Sequence, residues 1–158
     1  MYSLDGLVTY TGPEERFESV RAFSTLFRNG VAEAVSEVRA GRKGDRRSIS
    51  LRGIERDIGP ALRNAFGELT HYRVPPPYYL MVSLVGVRGL SAPMDEWHSG
   101  LPYPHRADQV LLPEMLIDDA LAKEEPTTWL RPIFDLLWNA FGQRGSPSFD
   151  REGRYVER

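Results

Sequence analysis

The dipeptide Asn29-Gly30, set between the strand-like runs 21–28 and 31–38, constrains the fold of this chain more than any other feature. Asn-Gly favours the positive backbone angles of a two-residue type I′ turn, whose twist matches that of the strands it joins. The reading is a β-hairpin with Phe27 opposite Ala32, Thr25 opposite Ala34 and Phe23 opposite Ser36. Large side chains on one strand then face small ones on the other, and this face is expected to carry the core. The other face, with Arg28 beside Val31 and Leu26 beside Glu33, is mixed and meets solvent or another element.

Periodicity predicts two helices. Ile54, Ile58, Leu62, Phe66 and Leu69 recur at spacings of four, four, four and three, which lays one apolar stripe along a helix over 54–72. Pro60 lies inside that stripe and is expected to kink the helix or to mark the first turn of its main part. Pro126-Thr127-Thr128 opens a second helix, with Leu130, Ile133, Phe134, Leu137 and Phe141 on one face until Gly142 ends it. Between the helices, Pro75-Pro76-Pro77 forces an extended connector. The run YYLMVSLVGV over 78–87 reads as a strand buried on both faces in the middle of the fold. Residues 89–108, with three prolines and two glycines, read as a long irregular loop. Residues 110–117 return to strand character, with Pro113 arguing for an edge or a bulge.

With the strand-like start at 4–10, the order is β-β-β-α-β-β-α. This is an α+β fold, a mostly antiparallel sheet of about five strands with two helices packed on one face. At 158 residues and 41% apolar content one sizeable core is affordable, so 1–142 is expected to be a single domain and 143–158 a polar C-terminal tail. Phe23, Phe27, Leu62, Phe66, Leu84, Ile133, Phe134 and Leu137 are the expected common core. Reaching strand-like residues so soon after Met1, the chain reads as a domain cut from a longer protein. No basic stretch followed by an apolar run opens it, and no window holds the roughly 18 apolar residues of a membrane helix. The expectation is a cytoplasmic soluble protein with no membrane partner.

The sequence excludes several chemistries. There is no cysteine, so disulfides, thiolate metal sites and cysteine nucleophiles are ruled out. Neither G-x-S-x-G nor a glycine-rich phosphate motif is present, and Ser83 sits in the most apolar run. The carboxylate pairs Asp118-Asp119 and Glu124-Glu125 lie in polar connectors and read as a solvated acidic face. Asp95, Glu96, His98, His105 and Asp108 gather two of the three histidines near three carboxylates, but at spacings of no known metal motif. No catalytic, cofactor-binding or metal-ligating set is assigned.

Two regions suggest binding instead. Twenty Lys plus Arg against 22 Asp plus Glu give a net charge of -2, so an anionic partner has to be met by a local patch. The stretch 39–47 is such a patch, a flexible basic loop with Arg39, Arg42, Lys43, Arg46 and Arg47, followed by Arg52 and Arg56. These residues would displace counterions from several phosphates. No aromatic side chain interleaves them for base stacking, and 18 of the 20 basic residues are arginine anyway. The second region is 111–117, read as an edge strand apolar on both faces apart from Glu114 and Pro113, with Leu111, Met115 and Ile117 as the candidate interaction surface. Its cover would be the second helix, the 89–108 loop or, favoured here, a second subunit in a homodimer.

Four segments carry a resemblance: 26–35 (LFRNGVAEAV), 77–89 (PYYLMVSLVGVRG), 111–114 (LLPE) and 130–142 (LRPIFDLLWNAFG), with Ser146-Pro147-Ser148-Phe149-Asp150 after them. In this order they resemble the C-terminal region of bacterial AlbA-type, Schlafen-related DNA-binding domain proteins. The match spans most of the chain but carries no catalytic signature, and it is weakest over 94–108. In that family the AlbA-type domain precedes this region, and nothing in 1–158 looks like it. The resemblance therefore implies a non-enzymatic accessory interaction or sensing module of a regulatory or defence-type protein. The alternatives are a nucleic-acid-binding accessory domain using loop 39–47 and, more distantly, a metal-dependent hydrolase.

Overall fold

The computed structural model describes residues 4–11, 21–43, 46–93 and 104–156. Its element order is β1 (Gly6–Thr11), β2 (Ala22–Phe27), β3 (Ala32–Ser36), β4 (Gly41–Lys43), β5 (Arg46–Ser48), α1 (Leu51–His71), β6 (Tyr78–Leu80), β7 (Ser83–Val85), β8 (Leu90–Ser91), β9 (Gln109–Leu111), β10 (Met115–Ile117) and α2 (Arg131–Ala140). Single 3-10 turns at Leu121–Lys123 and Pro126–Thr128 precede α2. The fold is α+β. The strands, however, form four small sheets of two or three strands rather than one sheet of about five. Loop 39–47, expected to be irregular, contributes the hairpin strands β4 and β5, and β5 runs parallel to β8.

The chain divides into two compact units, Met1–Val38 with Pro60–Pro75, and Arg39–Gly59 with Pro76–Arg158. The eight residues expected in a common core fall four to each unit. The division passes through α1 at Gly59 and Pro60. Lacking an N–H, Pro60 leaves the Arg56 carbonyl without its helical donor, yet the helix is assigned without a break across it.

In the first unit, β1, β2 and β3 form an antiparallel meander. The β2-β3 hairpin turns at the expected place but in another register. Leu26 lies opposite Ala32, Thr25 opposite Glu33 and Phe23 opposite Val35. The turn is a three-residue loop in which the Gly30 N–H donates to the Phe27 carbonyl and the Phe27 N–H to the Val31 carbonyl, with only Gly30 at positive φ. Asn29 instead uses its side chain, Oδ1 accepting from the Val31 N–H at 3.1 Å. A two-residue turn needs both central residues at positive φ, whereas the three-residue form needs it once and shifts the pairing by one. Tyr10, Phe23 and Val35 consequently share a row across the three strands, and all three are exposed. Phe23, expected in the core, is 36% exposed. At the far end of β1, a Cβ on Gly6 would lie 2.0 Å from the Leu26 carbonyl oxygen, so only glycine fits there.

The second unit holds a continuous core of Ile49, Leu51, Ile54, Val87, Leu90, Ala92, Val110, Leu137, Trp138 and Phe141. α2 adds Ile133 and Phe134 on the same inward stripe, and ends where Gly142 takes positive φ. The run 78–87 is not a strand buried on both faces. It is split into β6 and β7, which pair with β10 and β9 into a two-stranded ribbon. Leu84 lies opposite Val110, but Leu80 lies opposite Met115, one residue out of step. The extra residue falls at 112–114, where Leu112 still donates its N–H to the Val82 carbonyl. This is the irregularity Pro113 foretold, a β-bulge.

Residues 143–156, read from the sequence as a polar tail, supply buried contacts. Phe149 and Tyr155 form an isolated bridge and stack edge to face at 5.5 Å, and each lies 6.1 Å from the Phe134 ring. Arg131 covers the Phe149 ring at 5.6 Å. Asp135 Oδ1 accepts the Ser146 N–H at 2.8 Å. The Asp150 carboxylate, accepting from the Arg154 backbone N–H and then from its guanidinium, is held below the usual carboxylate range.

Candidate functional site

Three places in the second unit bear on function, and each grows from a local sequence pattern. The first is the outer face of the ribbon. Side chains alternate across a strand, so Tyr78, Leu80, Val82 and Leu84 turn inward while Tyr79, Met81, Ser83 and Val85 turn outward. The partner strands add Leu116 opposite Tyr79, Leu111 opposite Ser83 and Gln109 opposite Val85. Tyr79, Met81, Val85, Leu111 and Leu116 are between 51% and 73% exposed. The outer face thus carries five large apolar residues, a serine and a glutamine, and continuing the register of Met115 with Leu80 brings the exposed Glu114 beside Met81 at the bulge. Of the sequence-assigned interaction residues, Leu111 belongs to it. Met115 and Ile117 do not: the bulge reverses the alternation, leaving Met115 half-buried and Ile117 fully buried on the inner face. Leu116, Tyr79, Met81 and Val85 were missed because an unbroken apolar run hides which half faces water.

The second place is the β4-β5 hairpin. Its register sets Arg42 opposite Arg47 and Lys43 opposite Arg46. Directly opposed like charges destabilise an antiparallel pair by about 0.2–1 kcal/mol. Arg42 and Arg47 are exposed, and neither has an ion-pair partner among the described residues. Arg39, also exposed, directly precedes this hairpin.

The third place is the start of α1. Ser50 caps the helix, its Oγ accepting the Gly53 N–H at 3.1 Å. Leu51, Ile54, Glu55 and Ile58 then follow at helical spacing and face inward. Glu55 is therefore completely buried. Its carboxylate accepts from Trp138 Nε1 at 2.7 Å and from Ser148 Oγ at 2.5 Å, which ties α1 to α2 and to the C-terminal segment. Both carboxylate oxygens are thus hydrogen-bonded, as a buried acid requires. Arg52 and Arg56, one helical turn apart, line a cavity of about 220 Å³ together with Ser50, Gly53, Ser148, Tyr155 and Val156. Glu55 was not singled out from the sequence, although an acid at the i+4 position of the Leu51 stripe was the signal for it.

The other sequence candidates are not brought together. Asp95, Glu96 and His98 lie outside the described residues. His105 is half-buried, packs its ring 5.2 Å from that of Phe141, and places Nε2 in the interior without a hydrogen-bond partner among the described residues. Among the described residues, no group of three or more acidic or histidine side chains is placed to hold a metal ion. The acidic connectors are spent locally: Asp118 Oδ1 accepts the Leu121 N–H at 2.9 Å, and Asp119 pairs with Lys123 at 2.5 Å. No described helix is long and apolar enough to cross a membrane. Comparisons with protein families, with characterised proteins and with solved structures give no match to this chain.

Proposed function

We propose that this chain is a non-enzymatic interaction module that works as a homodimer through the outer face of its ribbon. The observation that carries the reading is the apolar face itself, five large apolar side chains exposed side by side on a protein with 27% charged residues. A twofold dimer sets the same patch against itself, so an apolar face meets its like, with Glu114 at the bulge as the charge that has to stay solvated at its rim. The unpaired outer edges of the two-stranded ribbon, among the described residues, add backbone donors and acceptors for the same partner. Seven residues form the centre of an interface that ordinarily takes about 20–30 residues a side, so the dimer is expected to dissociate in the micromolar range. The resemblance in the sequence supports a setting in a bacterial regulatory or defence-type protein, where this piece is an accessory domain beside the DNA-binding one.

Sedimentation velocity at 1–200 µM tests the reading, those limits being on the order of the expected dissociation constant. The wild type should shift from monomer to dimer, and Leu111→Asp should stay monomeric with an unchanged melting temperature, since Leu111 is solvent-exposed. A monomer throughout, or a dimer indifferent to Leu111→Asp and Met81→Glu, would refute it.

A second reading, direct contact with nucleic acid, is favoured by one observation, the opposed Arg42 and Arg47. Two guanidinium groups set opposite each other by the register, with no ion-pair partner among the described residues, fit adjacent phosphates, and neutralising each should lower the salt-dependence slope of binding by about 1. DNA retention that is equal in wild type and in the Arg42→Gln, Arg47→Gln double variant would remove this reading.

A further inference from the structure

The cavity at the start of α1 serves neither of these surfaces, and its chemistry is one-sided. Arg52 lines it, and the Arg52 Nε is buried without a hydrogen-bond partner among the described residues. A buried donor left unmatched costs stability, more so when it is charged. Arg56, four residues on, adds a second positive charge on the same helix face, where like charges repel. Its nearest carboxylate, Asp57, is 3.9 Å away and solvated. The acid between the two arginines gives no relief, because Glu55 is already engaged by Trp138 and Ser148. Ser50, for its part, has its Oγ turned to the Gly53 N–H. What the lining offers is two guanidinium groups, and it includes no carboxylate.

We propose that this cavity binds a phosphate group, held by the guanidinium groups of Arg52 and Arg56. A tetrahedral oxyanion supplies several acceptors at once, and the planar fork of arginine meets two of them in parallel. At about 220 Å³ the space is below the ~300–1,000 Å³ of pockets for drug-sized ligands, so it takes the phosphate and not a whole nucleotide. Tyr155 and Val156 complete the lining. Only two residues separate Arg47 from Ser50, a span of at most about 11 Å, so the β4-β5 hairpin ends close to this cavity. The phosphate can therefore be free in solution or the terminal phosphate of a nucleic-acid strand lying along the hairpin.

The test is calorimetric titration of the full chain with inorganic phosphate, against sodium chloride at equal ionic strength. Saturable binding to the wild type, at least ten-fold weaker in Arg52→Gln and unchanged in Arg88→Gln, an exposed arginine with no part in either basic pair, is the expected result. No saturable binding, or equal binding by Arg52→Gln, would overturn the proposal. Should Arg52→Gln fail to fold, Arg56→Gln replaces it, because the Arg56 side chain is largely solvated and its loss spares the core; undiminished binding there overturns the proposal equally. Short oligonucleotides with and without a 5′-phosphate separate the sources. A preference for the phosphorylated strand that disappears in Arg52→Gln assigns the cavity to a strand end, and no preference assigns it to the free anion.

Discussion

Of the sixteen buried hydrophobic residues among those described, fifteen lie in the unit built from Arg39–Gly59 and Pro76–Arg158, and Leu69 alone lies in the other. The larger unit is held by burial: Phe134, Leu137 and Trp138 on α2 have almost no contact with water, and even its one buried acid is matched on both oxygens. The smaller unit is held by its backbone. Its three strands pair over their full length, Thr9 and Ser24 bridge hydroxyl to hydroxyl at 2.6 Å, and the Tyr10, Phe23 and Val35 row stays exposed. A side chain should therefore matter in the larger unit for what it buries, and in the smaller unit for the backbone geometry it allows.

Substitutions can break that contrast, beginning with the core. Phe134→Ala should destabilise by about 3–5 kcal/mol in chemical denaturation, because the ring is fully buried and packs on the aromatic pair Phe149 and Tyr155. Trp138→Phe keeps most of the packing but takes the donor from Glu55, and should cost about 2 kcal/mol. Restoring stability by adding Glu55→Gln to that variant would show that the unmatched carboxylate was the cause. In the smaller unit the sensitive position is the turn, where Gly30→Ala should cost about 1 kcal/mol because Gly30 sits at φ 84°. Phe23→Ala should change stability by less than about 0.5 kcal/mol, as for other exposed side chains. A loss above 2 kcal/mol at Phe23 would mean that its row is covered and would dissolve the contrast. The smallest effect has the opposite sign: Arg42→Gln should stabilise by a few tenths of a kcal/mol by relieving the opposed Arg47.

The sequence disclosed these features unevenly, for physical reasons. The α1 stripe and the α2 stripe were legible because helical spacing is fixed by geometry and survives burial on one side. The turn at Asn29-Gly30 was legible as a position but not as a register, since two- and three-residue loops both accept Asn-Gly and differ by one residue in pairing. The run 78–87 was misjudged because apolar character reports burial only when burial is what it serves; here half of it faces water. Pro113 signalled the bulge, but not its effect, which is to hide Met115 and Ile117 and to leave Leu116 outside. Phe149 and Tyr155 sat among glycine, arginine and acid, and only the bridge that joins them shows why they are there.

The candidate sites follow the same rule. The basic residues were visible as composition, while their sorting into an opposed pair on the hairpin and a pair in the cavity depends on strand register and helical spacing. Glu55 was hidden by an ordinary helical context, and its partners are 83 and 93 residues away.

The central claim, that the apolar ribbon face is where one copy meets another, is tested most directly by hydrogen exchange of the wild type across its dilution range. Peptides covering 78–85 and 109–117 should gain protection as concentration rises, while those covering the exposed β4-β5 hairpin should not change, and Leu111→Asp should abolish the gain. Exchange in 78–85 and 109–117 that is independent of concentration, or protection that rises in the hairpin instead, would contradict the account.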